Sequence, residues 1–207
     1  MQSANHVDVS LIIPQCEDDK VRNLLAIIGV TLVSACGGGG SASALISPAP
    51  EPISMNGMLE THNQARTAVA VMPLTWSSQM TNYAQEWATY LANNNNCEMK
   101  HRSVAGNAPL TVGENLFWGS AVQWSDGRTE VQAITPAQVA TAWADEKNDY
   151  AYASNTCAPG KACGHYTQMV WNTTTEVGCG MALCPDKGQI WVCNYNPPGN
   201  YVGIKPY

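Results

Sequence analysis

Cysteine is the residue type in this chain with the most chemistry open to it. Eight occur in 207 residues. Cys16 and Cys36 stand near the N-terminus, and Cys97, Cys157, Cys163, Cys179, Cys184 and Cys193 form an even set of six in the rest. That is the arithmetic of three disulfides in an oxidising compartment. Zinc ligation is the competing chemistry, and it calls for thiolates in paired CxxC units. The intervening stretches of 59, 5, 15, 4 and 8 residues contain none. Six cysteines allow fifteen pairings. Two have a physical argument: Cys157 and Cys163 bracket the short Ala-Pro-Gly-Lys-Ala loop, while Cys179 and Cys193 fall on adjacent expected strands joined by a turn. Cys97 then closes on Cys184, tying a helical half to a sheet.

The elements that must hold these bridges follow from periodicity. Met80, Tyr83, Ala84, Trp87, Ala88 and Leu91 recur at helical spacing after a capping Ser77 or Ser78, and the run Asn93–Asn96 stops them. A first helix is expected between Ser54 and Val71, ended by Pro73. Thr135-Pro136, a cap followed by proline at the first helical position, opens a third that runs to Asp149. Residues 97–130 hold no sustained period and read as a long structured connection, most ordered over Glu114–Trp118. Three β-rich stretches follow, Tyr166–Thr173, Glu176–Leu183 and Gln189–Tyr195, separated by turn chemistry at Asn172–Thr175 and at Pro185-Asp186-Lys187-Gly188. Helices first and an antiparallel meander last predict a mixed domain with a helix-covered sheet.

The first fifty residues read as an address. Leu24–Val33 is an apolar run of ten, too short for a ~20-residue membrane span and suited to a signal-peptide core flanked by Lys20 and Arg22. Val33-Ser34-Ala35-Cys36 resembles the bacterial lipobox, whose cysteine is lipidated. The expectation is therefore a signal over residues 1–35, a lipid anchor at Cys36 with a Gly/Ser/Pro tether over 36–53, and a domain over 54–207. Ordinary secretory cleavage is the alternative, and either exports the protein, to a bacterial cell envelope or beyond it. Asp8, Glu17, Asp18 and Asp19 do not belong in a signal peptide, so residues 1–20 are read as a misplaced start with translation beginning at Val21.

Sixteen acidic and ten basic residues give a net charge of −6. Without a basic stripe there is no electrostatic footprint for nucleic acid, and membrane contact is expected through the N-terminal lipid alone. Charged residues are 13% and apolar residues 45%, which excludes disorder and coiled coil.

Two longer motifs carry a family resemblance. Gly164-His165-Tyr166-Thr167-Gln168-Met169-Val170-Trp171 and Cys193-Asn194-Tyr195-Asn196-Pro197-Pro198-Gly199-Asn200-Tyr201 resemble the signatures of the CAP superfamily of cysteine-rich secretory proteins, antigen 5 and class 1 pathogenesis-related proteins. His62-Asn63-Gln64-Ala65-Arg66, Leu74-Thr75-Trp76, Gly113-Glu114-Asn115-Leu116 and Trp143 to Tyr150 extend it. The resemblance implies an α+β fold, an α-β-α sandwich with a three- to four-stranded antiparallel sheet between helical layers, and three disulfides paired as above, as in the plant class 1 branch.

It also implies a central cleft with two histidines and two glutamates, matched by His101, Glu114, Glu146 and His165. Two imidazoles and two carboxylates can hold a divalent metal such as Zn²⁺ or Mg²⁺, or form a polar network in which each carboxylate orients a ring. The leading expectation is an exported binding or interaction module using that cleft, with a protein partner at the cell surface. A metal-assisted hydrolase on the same four candidates is the alternative, and the absence of GxSxG and HExxH weighs against it. His62 is expected to pack structurally, and Trp143 and Trp171 to fill the core. Some members of the superfamily bind sterols or fatty acids in a loop matching Gly119–Thr135, where Trp124 is the ligand-binding candidate. The segment Pro197–Tyr207 is similar to one released as a signalling peptide by plant relatives; packing over the helical layer is the favoured reading here.

Overall fold

Helix α2 (Ser78–Asn94) follows the predicted stripe: Met80, Tyr83, Ala84, Ala88 and Leu91 are all buried. It belongs to a computed structural model that describes residues 48–102 and 111–207. The expected signal segment, Cys16, Cys36 and most of the expected tether lie outside the described residues. Among those described, no helix is long and apolar enough to cross a membrane.

Ahead of α2 come a 3₁₀ turn (Ile53–Met55), α1 (Met58–Thr67) and the two-residue strand β1 (Thr75–Trp76). The order of packing begins before residue 54. Glu51 accepts the Gly57 and Leu59 amides at 3.2 and 2.6 Å, capping α1, and Ala49 packs on the core. The expected long connection contains β2 (Gly113–Gly119) and a small hairpin, β3 (Val122–Gln123) with β4 (Thr129–Glu130). Strand β2 shows no apolar alternation because both of its faces are covered.

Helix α3 (Pro136–Ala144) starts at Thr135 with a reciprocal cap: the Thr135 hydroxyl accepts the Gln138 amide, and the Gln138 side chain accepts the Thr135 amide. It tightens into a 3₁₀ helix at Asp145–Asp149, so Glu146 stands on this last turn and not on the α-helix proper. A second hairpin, β5 (Tyr150–Ala151) with β6 (Thr156–Cys157), leads to α4 (Gly164–Met169).

Helix α4 corrects the expected strand over Tyr166–Thr173. All residues from His165 to Met169 are buried, so the stretch has no polar face to mark it as helical, and its core-filling residues imitate a buried strand. Its first-turn amides are capped by Glu146, 19 residues earlier in the chain. No local side chain announces it.

Strands β7 (Glu176–Leu183) and β8 (Gln189–Asn196) form the expected hairpin, in a sheet ordered β1-β7-β8-β2. Three long strands are antiparallel; β1 joins β7 in parallel through Thr75 opposite Glu176 and Trp76 opposite Val177. One face packs Met58, Val139, Trp143, Met169, Val177, Trp191 and Tyr195 beneath α1, α3 and α4. The other packs Leu116, Ile190 and Val192 against Ala84, Ala88 and Leu91 of α2. This is the α-β-α sandwich. Gly178 and Gly180 make the second interface possible, since a Cβ at either would run into α2 backbone at Ser77, Met80, Thr81 or Gln85.

The three bridges are Cys97–Cys184, Cys157–Cys163 and Cys179–Cys193. The first joins the end of α2 to the β7–β8 turn, and the third links directly opposed residues. The C-terminal segment packs back on the domain: Pro206 accepts the Asn172 amide at 2.7 Å, Asn155 donates to Ile204, and Tyr207 stacks on Tyr152.

Candidate functional site

The four His and Glu candidates stand as two pairs, each a ring against a carboxylate. His165 opens α4, and its Nδ1 lies 2.8 Å from Glu146 Oε1. Glu146 Oε2 accepts the main-chain amides of His165 and Tyr166 at 3.0 and 3.2 Å. A carboxylate so placed requires the proton on Nδ1 and leaves Nε2 as the basic atom of the neutral ring. His165 is 1% exposed, its Nε2 is buried without a hydrogen-bond partner among the described residues, and Trp143 stacks on the ring at 6.1 Å.

His101 lies in the loop after α2, and its Nδ1 is 2.8 Å from Glu114 Oε1. Glu114, on β2, also accepts the Arg102 amide at 3.0 Å and the Asn194 side chain at 3.3 Å. Both glutamates therefore orient imidazoles and main-chain donors. Among the described residues no group of three His, Cys, Asp or Glu side chains is arranged to hold a metal ion.

A buried network adjoins the His165 pair. Asn115, next to Glu114, donates through Nδ2 to the His165 carbonyl at 3.2 Å and to the Tyr195 hydroxyl at 2.9 Å. Tyr195 Oη meets His62 Nε2 at 2.8 Å, and His62 Nδ1 meets the Met58 carbonyl at 2.8 Å. A carbonyl can only accept, so His62 carries its proton on Nδ1, Tyr195 donates to Nε2, and Asn115 must turn its amide nitrogen inward. Burial pushes His62 down to about 4 and holds the Tyr195 phenol well above its ordinary range, so both are neutral near pH 7. His62 is structural, as expected. Trp143, also in the core, donates to the Leu116 carbonyl, and Trp171 is likewise buried. Asn115 and Tyr195 belong to the motifs already quoted, but nothing local showed that they would meet.

Arg66 is 1% exposed and donates to four carbonyls, those of Met72, Met169, Trp171 and Thr174, at 2.6 to 2.9 Å. It clamps α1 to the end of α4. Burial lowers its pKa to about 10, so it is charged at neutral pH.

Trp124 stands on the β3–β4 hairpin, 47% exposed, with the Arg128 guanidinium 5.3 Å from its ring. Arg128 also pairs with Asp126 and Glu130 and holds the Asp126 carboxyl below its usual range. The contact of the Trp124 ring is with Arg128 of the same hairpin. A cleft of about 620 Å³ lies elsewhere, between the Cys157–Cys163 loop, α4 and the C-terminal segment. Its side chains Thr167, Asn155 and Asn200 already bond within the protein.

Comparison with known proteins agrees with this architecture. The CAP family, described as the cysteine-rich secretory protein family, matches residues 59–195. Pathogenesis-related protein PR-1 of Medicago truncatula is 46% identical over 153 residues, which are 73% of this chain and 78% of that protein. The solved structure of Schistosoma mansoni venom allergen-like protein 4 has a TM-score of 0.55 at 24% identity, covering 75% of this chain and 94% of that one. NaASP2, solved with Zn²⁺, has a TM-score of 0.55 at 24% identity and covers 76% and 90%. At such identities the solved structures speak to the fold. The sequence match speaks to descent, and the chain belongs to the CAP family as a homologue of the plant pathogenesis-related class 1 proteins.

Proposed function

We propose that this protein is an exported CAP-domain binding and interaction module whose His165–Glu146 and His101–Glu114 pairs present imidazole nitrogen to a divalent metal ion. One observation carries the reading: His165 Nε2 is a buried lone pair without a hydrogen-bond partner among the described residues, on a ring fixed through Nδ1 by Glu146. Metal-bound histidines are commonly held in this way by a carboxylate on the opposite nitrogen. Glu146 and Glu114 then act as orienting partners, His165 and His101 as ligands, and water completes the coordination. Imidazole ligands favour Zn²⁺ over Mg²⁺, which prefers oxygen. The relative solved with Zn²⁺ is consistent with this choice.

The test is calorimetry and metal analysis of the full-length protein with ZnCl₂ and MgCl₂, repeated on His165→Ala and His101→Ala. Saturable Zn²⁺ binding, weakened at least tenfold in each variant and absent with Mg²⁺, supports the proposal. Undiminished Zn²⁺ content in both variants overturns it.

Export and an acyl chain on Cys36 complete the proposal, on the strength of the apolar run, the lipobox-like Val33-Ser34-Ala35-Cys36 and three disulfides suited to an oxidising compartment. The mass of the N-terminal peptide, with Cys36→Ser as control, tests it. Exposed Trp124 and Val131 favour a second ligand, a sterol or fatty acid at the β3–β4 hairpin. A lipid titration that shows no saturable signal, or the same signal in Trp124→Ala, removes that reading.

A further inference from the structure

Arg102 follows His101 directly, and its side chain is only 6% exposed. Its guanidinium lies 3.9 Å from the centre of the Tyr83 ring and 5.2 Å from that of Trp87, two rings one turn apart on α2. Tyr90 stacks on Trp87 in turn at 4.9 Å. Aromatic faces therefore hold the cation in place. Its ion pair is with Glu86, 3.0 Å from Nη2, but that carboxylate is 73% exposed and screened by water.

Two donors are left over. Arg102 Nη1 is buried with no hydrogen-bond partner among the described residues, and so is the hydroxyl of Tyr83, the residue on whose ring the guanidinium rests. Folded proteins leave few buried polar groups unmatched, and an open nitrogen on a buried cation is among the least favourable. Glu114 does not fill this gap, because its oxygens face His101 Nδ1, the Arg102 main-chain amide and Asn194 Nδ2.

The missing acceptor can be described from the donors. Guanidinium N–H groups donate only, and the phenolic O–H donates to an anion. A carboxylate presents two oxygens and can take one bond from each. Met80 and Val112, buried together with Tyr83, make the adjoining wall apolar, which strengthens charge-assisted bonds. Charge sets the valence. The carboxylates of Glu86 and Glu114 already stand close to Arg102 and repel any further negative charge, so a monoanion is opposed less than a phosphate dianion.

We propose that Arg102 Nη1 and the Tyr83 hydroxyl form a binding site for the carboxylate of a small monoanionic organic acid, beside the His101–Glu114 pair and independent of any metal. The experiment is a titration of the full-length protein with sodium acetate, in a chelator and at constant ionic strength. It follows the arginine side-chain resonances by NMR, with sodium phosphate as the second arm. A ligand this small is expected to bind weakly, with Kd in roughly the millimolar range. Saturable acetate binding that falls at least tenfold in Tyr83→Phe and vanishes in Arg102→Gln is the expected result. Tyr83→Phe keeps the ring under the guanidinium, so it decides the matter even if Arg102→Gln does not fold. No saturable response to acetate, or equal affinity in the variants, overturns the site. Tighter binding of phosphate than of acetate overturns the carboxylate assignment.

Discussion

Glu146 holds His165 at three points: it accepts the ring Nδ1–H at 2.8 Å, the His165 amide at 3.0 Å and the Tyr166 amide at 3.2 Å. One carboxylate thus sets the tautomer of the ring and caps the helix that carries it. Glu146→Gln has one acceptor oxygen where three donors converge, and its amide nitrogen must face a donor. The expected loss is about 1–3 kcal/mol of stability in urea unfolding, together with a roughly 10–100-fold fall in Zn²⁺ affinity by calorimetry. Stability lost without any change in affinity would leave Glu146 as a helix cap alone.

Arg66 should be among the least replaceable residues in the domain. Its guanidinium satisfies four carbonyls from two chain segments, Met72 and the run from Met169 to Thr174, and among the described residues it has no carboxylate partner that could be removed with it. Arg66→Ala leaves the Met169, Trp171 and Thr174 carbonyls buried without this donor and opens a cavity, for an expected loss of at least about 3 kcal/mol. Arg66→Lys, with three donors and no planar fork, should recover only part of it. Denaturant midpoints of the two variants check this order.

Elements whose cause is local could be read in advance. The stripe from Met80 to Leu91, the Thr135-Pro136 cap and the turn at Pro185–Gly188 each lie within one stretch of chain, and each was found as expected. Helix α4 could not be read, because its cap is Glu146 and its residues are buried all round. Strand β2 was half visible for the same reason: covered on both faces, it shows no alternation. The His–Glu candidates came through resemblance, since 13 and 19 residues separate the members of the two pairs. The open donors of Arg102 and Tyr83 left no trace in composition or period.

The disulfides should differ in what their removal costs. Cys97–Cys184 closes a separation of 87 residues and Cys157–Cys163 one of 6. In the chain-entropy account, the first restricts the unfolded chain by about 4–5 kcal/mol and the second by about 2. Paired Cys→Ala variants, compared by urea unfolding, should fall in that order. Equal losses would show that native-state packing around the bridges, and not loop closure, governs their contribution.

His62 should make the domain sensitive to mild acid, with a sign set by its burial. Desolvation lowers its pKa from 6.5 to about 4, partly opposed by the Met58 carbonyl, which favours the protonated ring, while nearby Arg66 lowers it further. Above pH 6.5 the ring is neutral in both folded and unfolded chains and contributes no pH dependence. Between 6.5 and 4 the unfolded chain binds a proton that the folded one excludes, so stability falls as pH falls; below 4 both forms are protonated and the slope ends. The full shift corresponds to about 3 kcal/mol. His62→Gln removes the titration while keeping a polar side chain beside Tyr195. Between pH 7 and pH 4.5, urea unfolding should show wild type losing about 2–3 kcal/mol more than the variant. Parallel losses in the two proteins would assign the acid sensitivity to other groups.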